Sequence, residues 1–210
     1  MERFLVDGPA RAPLTLVLAH GAGAPMDSPF MNAVASGVAK AGFRVVRFEF
    51  PYMHARREGE RKPPDREPVL RQAWLDAIGE AAGKKGASHV AIGGKSMGGR
   101  IASMVADEAG VAGLVCLGYP FHPPGQPDKL RVAHLEHLRT PALVAQGERD
   151  AFGTRDDISR YSLSKRIRLS FLPDGDHSFK PRVSSGRTEA QNLEEAVALV
   201  SGFLASLRSS

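Results

Sequence analysis

With 210 residues, 42% of them hydrophobic and 24% charged, the chain has the composition of one ordinary globular domain and is cramped for two. A chain of this size buries roughly 70% of the surface it exposes when unfolded, so it needs neither disulfide staples nor a structural metal. Its single cysteine, Cys116, excludes an internal disulfide and suits a reducing, cytoplasmic compartment, and although the formal charge is +5, the basic residues are scattered among acids, which argues against a nucleic-acid partner.

The first 18 residues lack the basic start, long apolar centre and small-residue cleavage site of a secretory signal. No run approaches 18 apolar residues, so no membrane association is expected. An edge strand is read over 3–6, followed by a strand at 14–20 that runs into the small-residue loop His20-Gly-Ala-Gly-Ala24. A helix over 29–41 follows, with Ser28 as its cap and Gly42 as its stop, and then a strand at 43–50. The segment 51–67, crowded with Pro, Arg and Glu, reads as an exposed loop. A helix over 68–82 carries Val69, Leu70, Ala73, Trp74, Ala77 and Ile78 at helical spacing.

Strands at 89–94, 113–119, 142–147 and 167–172 and helices over 97–109 and 188–207 complete the pattern. Between 119 and 142 only 22 residues intervene. They start with a stiff Pro-rich stretch and end in a short helix, leaving no room for a cap domain. Short apolar runs alternating with helices predict a single α/β domain over 1–210, its central, mostly parallel sheet covered by helices on both faces.

The sharpest local signal is Gly93-Gly-Lys-Ser-Met-Gly-Gly99, a G-x-S-x-G pattern where a strand ends and a helix begins. Such an elbow needs small flanking residues, which Gly94 and Gly98 supply. It lifts the Ser96 hydroxyl above the sheet, beside the free N–H groups that open the next helix. A serine hydroxyl is a weak nucleophile, so it needs a base within reach and an acid to orient that base. On this architecture they follow in the order Ser, Asp/Glu, His, after later strands. Asp150, past 142–147, and His177, past 167–172, fit that order, with Glu148, Asp156 and Asp157 as rival acids. The other six histidines follow the wrong strands or lie elsewhere.

The oxyanion hole is assigned to the N–H groups of Ala22 and Met97. Gly21, Lys95, Tyr119 and His122 are the expected substrate contacts, with Tyr119 and His122 forming one wall of an open cleft. Arg100, four residues beyond Ser96, is read as a brace. His134 and His137, spaced i, i+3 on the short helix, have no second ligand pair, so no metal is expected.

With these motifs in order, the chain resembles the α/β-hydrolases over nearly its whole length. His20-Gly-Ala-Gly-Ala-Pro-Met-Asp-Ser-Pro-Phe-Met31, Gly93 to Arg100, Gly118-Tyr-Pro-Phe-His-Pro-Pro-Gly-Gln-Pro127 and Asp176-His-Ser-Phe-Lys180 are similar to a group of small cytosolic members. These are related to dienelactone hydrolases, to a testis-expressed hydrolase-like protein and to a hydrolase-like subunit of the NSL histone-acetyltransferase complex. Dienelactone hydrolases place cysteine at the nucleophile, where this chain has Ser96. The resemblance implies a Ser96, Asp150, His177 triad. The expected function is a cofactor-independent serine hydrolase acting on a small-molecule acyl substrate, esters by default. The alternatives are a thioesterase or peptidase on the same triad, and a hydrolase-fold interaction protein without catalysis.

Overall fold

The computed structural model describes residues 4–207. Its centre is a seven-stranded sheet in the order β1-β3-β2-β4-β5-β6-β7. Strand β1 (Phe4–Asp7) runs antiparallel to β3 (Arg44–Phe48) at one edge. All other pairs, through β2 (Thr15–Ala19), β4 (Val90–Lys95), β5 (Gly113–Leu117), β6 (Ala142–Gly147) and β7 (Ile167–Leu172), are parallel. The expected strands are all present; Arg3, the first residue of the expected edge strand, lies outside the described residues.

Strands β2, β4, β5 and β6 are buried along their whole length, as the unbroken apolar runs require when both faces are covered. Side chains alternate between those faces. Val17, Ile92, Leu114 and Val144 pack with Trp74 and Ile78 of α3 (Glu67–Ala82) and Ile101 and Val105 of α4 (Met97–Ala109). Leu16, Leu18, Ala91 and Val115 pack with Val34 and Val38 of α1 (Pro29–Lys40) and Val200 and Leu204 of α6 (Glu189–Ser206). The α6 start is fixed by a capping box between Thr188 and Gln191. Ser28 is the cap position of α1 but its side chain makes no capping bond; Pro29 in the first turn sets that start instead.

Two expectations need correction. The segment 51–67 is not all loop: Pro51–Arg57 forms helix α2, with Tyr52 and Met53 buried. Pro51 suits a first turn, and burying two large side chains there outweighs the polar composition around them. The short helix expected near His134 and His137 is only a three-residue 3-10 turn, Ala133–Leu135. A four-residue helix, α5 (Arg155–Ile158), follows β6, held by a capping box between Thr154 and Asp157. The connection between β5 and β6 holds no cap domain. Among the described residues no helix is long and apolar enough to cross a membrane.

Candidate active site

The strand-to-helix turn between β4 and α4 puts Ser96 in a backbone conformation that side chains rarely adopt, φ 51° and ψ −115°. Holding it there costs on the order of 1–3 kcal/mol, which the surroundings must over-determine. They do: Ser96 N–H donates to Leu117 O at 3.0 Å, and Ser96 O accepts from Arg100 N–H at 2.9 Å. The glycines are required by contact. A Cβ at Gly94 would sit 2.3 Å from Ala19 O, and one at Gly98 would sit 2.5 Å from the same oxygen. Trp74 Nε1 donates to Gly98 O, which ties the start of α4 to α3.

His177 reaches this turn from the loop after β7. Its Nε2 lies 2.9 Å from Ser96 Oγ and its Nδ1 lies 2.8 Å from Asp150 Oδ2. Asp150 is fully buried and accepts two more hydrogen bonds, from Phe152 N–H at 2.9 Å and from Gln146 Nε2 at 2.9 Å. Gln146 is itself held, accepting from Tyr119 N–H at 2.7 Å. A carboxylate so surrounded stays acceptor-only toward Nδ1–H, which leaves Nε2 to accept the Ser96 proton. The rival acids are occupied elsewhere. Glu148 accepts from Asp174 N–H and pairs with Arg155. Asp157 caps α5, accepting from the Thr154 hydroxyl and N–H, and these bonds hold its carboxyl below the usual range although partial burial pushes the other way. Asp156 is exposed.

Lys95, one residue before Ser96, is buried, and its Nζ donates to His177 O at 2.7 Å. Burial pushes its ammonium down to about 8, while the charges of Asp150 and Asp176 oppose that shift. The same Nζ stands 5.6 Å from the Phe30 ring centre. Lys95 is thus a prop beneath the His177 loop as well as part of the cleft wall. Arg100 pairs with Glu67 of α3 at 3.0 Å, an ion pair that braces α4 against α3.

Above Ser96 lies a cleft of about 320 Å³, lined by Gly21 to Ala24, Ser28, Phe30, Met31, Lys95, Phe152, His177 and Ser178. Gly21, Ala22 and Lys95 are brought to it. Met97, as the first residue of α4, carries one of the N–H groups a helix leaves without an internal partner. Tyr119 and His122 are not part of the wall. The chain turns at Gly118, φ +65°, and this sends Tyr119 into the core against Phe121, its hydroxyl donating to Arg131 O at 2.9 Å. His122 is also buried, with Nδ1 on Pro123 O and Nε2 3.7 Å from Asp157.

Their place is taken by Phe30 and Phe152, which the sequence reading passed over. The Phe152 ring lies 4.2 Å, centre to centre, from the His177 ring, tilted by 32°. Its position two residues past Asp150 was the available signal, because an aspartate that accepts from the N–H two residues on fixes where that residue's side chain leaves the turn.

A second serine–histidine pair lies off the cleft. Ser103 Oγ is 2.8 Å from His134 Nε2 but only 2.6 Å from Arg100 O, to which it must donate its one proton. His134 Nε2 is therefore the donor to Ser103, the reverse of the polarity a nucleophile needs. Burial lowers the affinity of His134 for a second proton. Among the described residues no three His, Cys, Asp or Glu side chains gather as a metal-ligand set.

Residues 12–205 match the family model described as an alpha/beta hydrolase domain. Among solved structures, the fold is similar to a dienelactone hydrolase from Anabaena variabilis, with a TM-score of 0.74, 22% identity, and coverage of 97% of this chain and 90% of that one. It is similar to Est1E from Butyrivibrio proteoclasticus, at 0.70 and 15%, covering 99% and 94%. It is also similar to an α/β serine hydrolase without lid from Xanthomonas campestris, at 0.64 and 19%, covering 93% and 87%. The sheet order, the elbow and the matched span agree: this chain belongs to the alpha/beta hydrolase family.

Proposed function

We propose that the protein is a serine hydrolase of carboxylesterase type, cleaving small acyl esters through an acyl-enzyme on Ser96. One observation carries the reading: an unbroken relay from Asp150 Oδ2 to His177 Nδ1 and from His177 Nε2 to Ser96 Oγ, at 2.8 and 2.9 Å, opening on an accessible cleft. In the first half-reaction His177 Nε2 takes the Ser96 proton as Oγ bonds to the ester carbonyl carbon. The carbonyl oxygen becomes an oxyanion facing the N–H groups of Ala22 and Met97. Asp150 holds the imidazole in the required tautomer and stabilises the imidazolium. His177 then returns the proton to the departing alkoxide. In the second half-reaction water repeats the sequence at the acyl carbon and releases Ser96. The single thiol, Cys116, is buried, and burial pushes it well above the ordinary thiol range, which suits both an inert structural role and a cytoplasmic setting.

The test is labelling with a fluorophosphonate probe, which phosphonylates an activated serine. Wild type is expected to react at Ser96 and to hydrolyse p-nitrophenyl acetate, and Ser96→Ala is expected to do neither. A wild-type protein inert to both reagents would instead support a hydrolase-fold interaction protein.

A further inference from the structure

Two successive carbonyls of the loop after β2 are turned away from the cleft, and the side chains that turn them lie outside it. Gly21 O is 2.7 Å from His20 Nδ1 and 3.3 Å from the Tyr52 hydroxyl; Ala22 O is 3.1 Å from that hydroxyl and 3.3 Å from Arg56 Nη1. The donor direction at His20 follows from its other nitrogen. Nε2 lies 3.1 Å from Phe50 N–H, which can only donate, so Nε2 accepts and Nδ1 carries the hydrogen given to Gly21 O. Burial of His20, which lowers its proton affinity, keeps it in that neutral form. Burial likewise pushes the Tyr52 phenol up to about 12, so it remains a donor throughout the working range.

In a trans peptide the N–H points opposite to the C=O of the same plane, and no described peptide is cis. With Gly21 O and Ala22 O drawn to the Tyr52 side, the N–H groups of Ala22 and Gly23 face the other side. That side is the cleft, which Ala22 and Gly23 line with Ser96 and Tyr52 does not. Tyr52 is well placed for the task. It is fully buried at the start of α2, its own N–H donates to Asp65 at 2.8 Å, and Arg56 covers its ring at 5.0 Å.

Resting on the hydrolase reading above, we infer that Tyr52 is a positioning residue for the oxyanion hole: its hydroxyl, with His20 and Arg56, holds the loop so that the Ala22 and Gly23 N–H groups face the reacting carbonyl. The far end of the loop is tied independently, by Met26 N–H on Glu49 and Arg47 on Met26 O, so losing the hydroxyl loosens the donors without freeing the whole segment.

The variant is Tyr52→Phe, which keeps the ring and its packing. Against p-nitrophenyl acetate kcat is expected to fall about tenfold with KM changed less than about twofold, because the lost order matters only when the oxyanion forms. Affinity for an aryl boronic acid, which adds to Ser96 as a tetrahedral anion, is expected to fall by the same factor. Affinity for an unreactive ketone of similar shape should hold. Unchanged kcat and boronate affinity in the variant, with an active wild type, overturns the inference alone. A rise in KM with kcat preserved overturns it too, since that is loosened ground-state binding. A wild type inert to ester and probe overturns the hydrolase reading and the inference together. Should Tyr52→Phe not fold, Arg56→Met, which removes a second donor to Ala22 O, is expected to give the same split at about twofold to threefold; no split there would overturn the inference.

Discussion

Two serine–histidine pairs in the described residues are of nearly equal length, Ser96–His177 at 2.9 Å and Ser103–His134 at 2.8 Å, while a third, Ser88–His89, is longer at 3.4 Å and exposed. Distance does not distinguish the first two; polarity and setting do. Ser96 stands on a strained turn at the floor of a cleft, its hydroxyl facing an imidazole nitrogen whose partner nitrogen is fixed by Asp150. Ser103 lies inside α4, its proton committed to Arg100 O one turn back, with His134 donating toward it. A helix always offers a serine that backbone carbonyl, so a mid-helix serine tends to be a local donor, whereas an elbow removes the option. Hydrogen-bond direction, set by the backbone, leaves the Ser96 hydroxyl facing an imidazole that can accept its proton and denies Ser103 the same arrangement.

The largest expected effect breaks the comparison if it fails. Ser96→Ala is expected to lower ester turnover by at least about 10⁴-fold and to abolish probe labelling. Ser103→Ala should stay within about threefold of wild type in rate and cost about 1 kcal/mol of stability, the net worth of a hydrogen bond. Mass spectrometry of the labelled protein decides between them. A probe adduct on Ser103 in the Ser96→Ala protein would mean that hydrogen-bond direction does not sort the two pairs.

The acid gives the next effect. Asp150→Asn leaves shape intact but lets Nδ1 face a donor, and a fall of about 10³–10⁴ in kcat is expected. Asp157→Asn and Glu148→Gln should each change kcat by less than about threefold, and the former should cost about 1 kcal/mol through the weakened α5 cap. Activity assays with urea melts on all three proteins separate these outcomes. A large rate loss confined to one of the latter two would move the acid's role away from Asp150.

The elbow and the sheet were legible because both are backbone demands written in residue size. Continuous apolar runs such as 113–117 mark strands buried on both faces, and Gly94 and Gly98 mark a turn with no room for Cβ. The carboxylate that meets His177 was less legible. Four carboxylates fall between 148 and 157, and which one faces inward depends on Gln146 and the Phe152 amide, contacts that appear only once the loop is folded. Tyr119 and His122 misled for a similar reason. Both follow the strand beside Ser96, but the left-handed turn at Gly118 sends their side chains into the core. Tyr52 was hidden by its neighbours, since a stretch dense in Pro, Arg and Glu reads as solvated even where two buried side chains hold a helix.

Charge beneath the pair is a further difference. The His177 loop rests on the buried ammonium of Lys95, faced by Asp150 and Asp176, while His134 lies near the guanidinium of Arg100. Burial lowers Lys95 from 10.5 to about 8. The unfolded chain binds that proton more tightly, so folding carries a penalty that is full below about pH 8 and fades toward 10.5. At about 1.4 kcal/mol per unit the penalty is roughly 3 kcal/mol. Lys95→Met is therefore expected to be more stable than wild type at pH 7, by about 2 kcal/mol once the bond to His177 O is lost. The advantage should shrink between pH 8 and 10 in urea unfolding. A variant equally destabilised at both pH values would show that the prop outweighs the buried charge. The same variant should lose activity, because His177 loses its support.

The smallest effect concerns how far the Ser96–His177 pair is open to substrate. The cleft above Ser96, about 320 Å³, lies at the small end of ligand sites, which span roughly 300–1,000 Å³. Its apolar walls are Phe30, Met31 and Phe152, and no cap domain covers it. Each methylene buried is worth about 0.8 kcal/mol, so selectivity for chain length rises only while the chain still finds wall. Across a series of p-nitrophenyl esters kcat/KM is expected to peak at about two to four acyl carbons and to decline by about tenfold by ten carbons, with no activation at a lipid interface. Phe152→Ala widens the wall beside His177, and the optimum should shift by one or two carbons toward longer chains. A tenfold preference for chains of ten or more carbons in the wild type would require an apolar tunnel or a closing lid, and the walls named here supply neither.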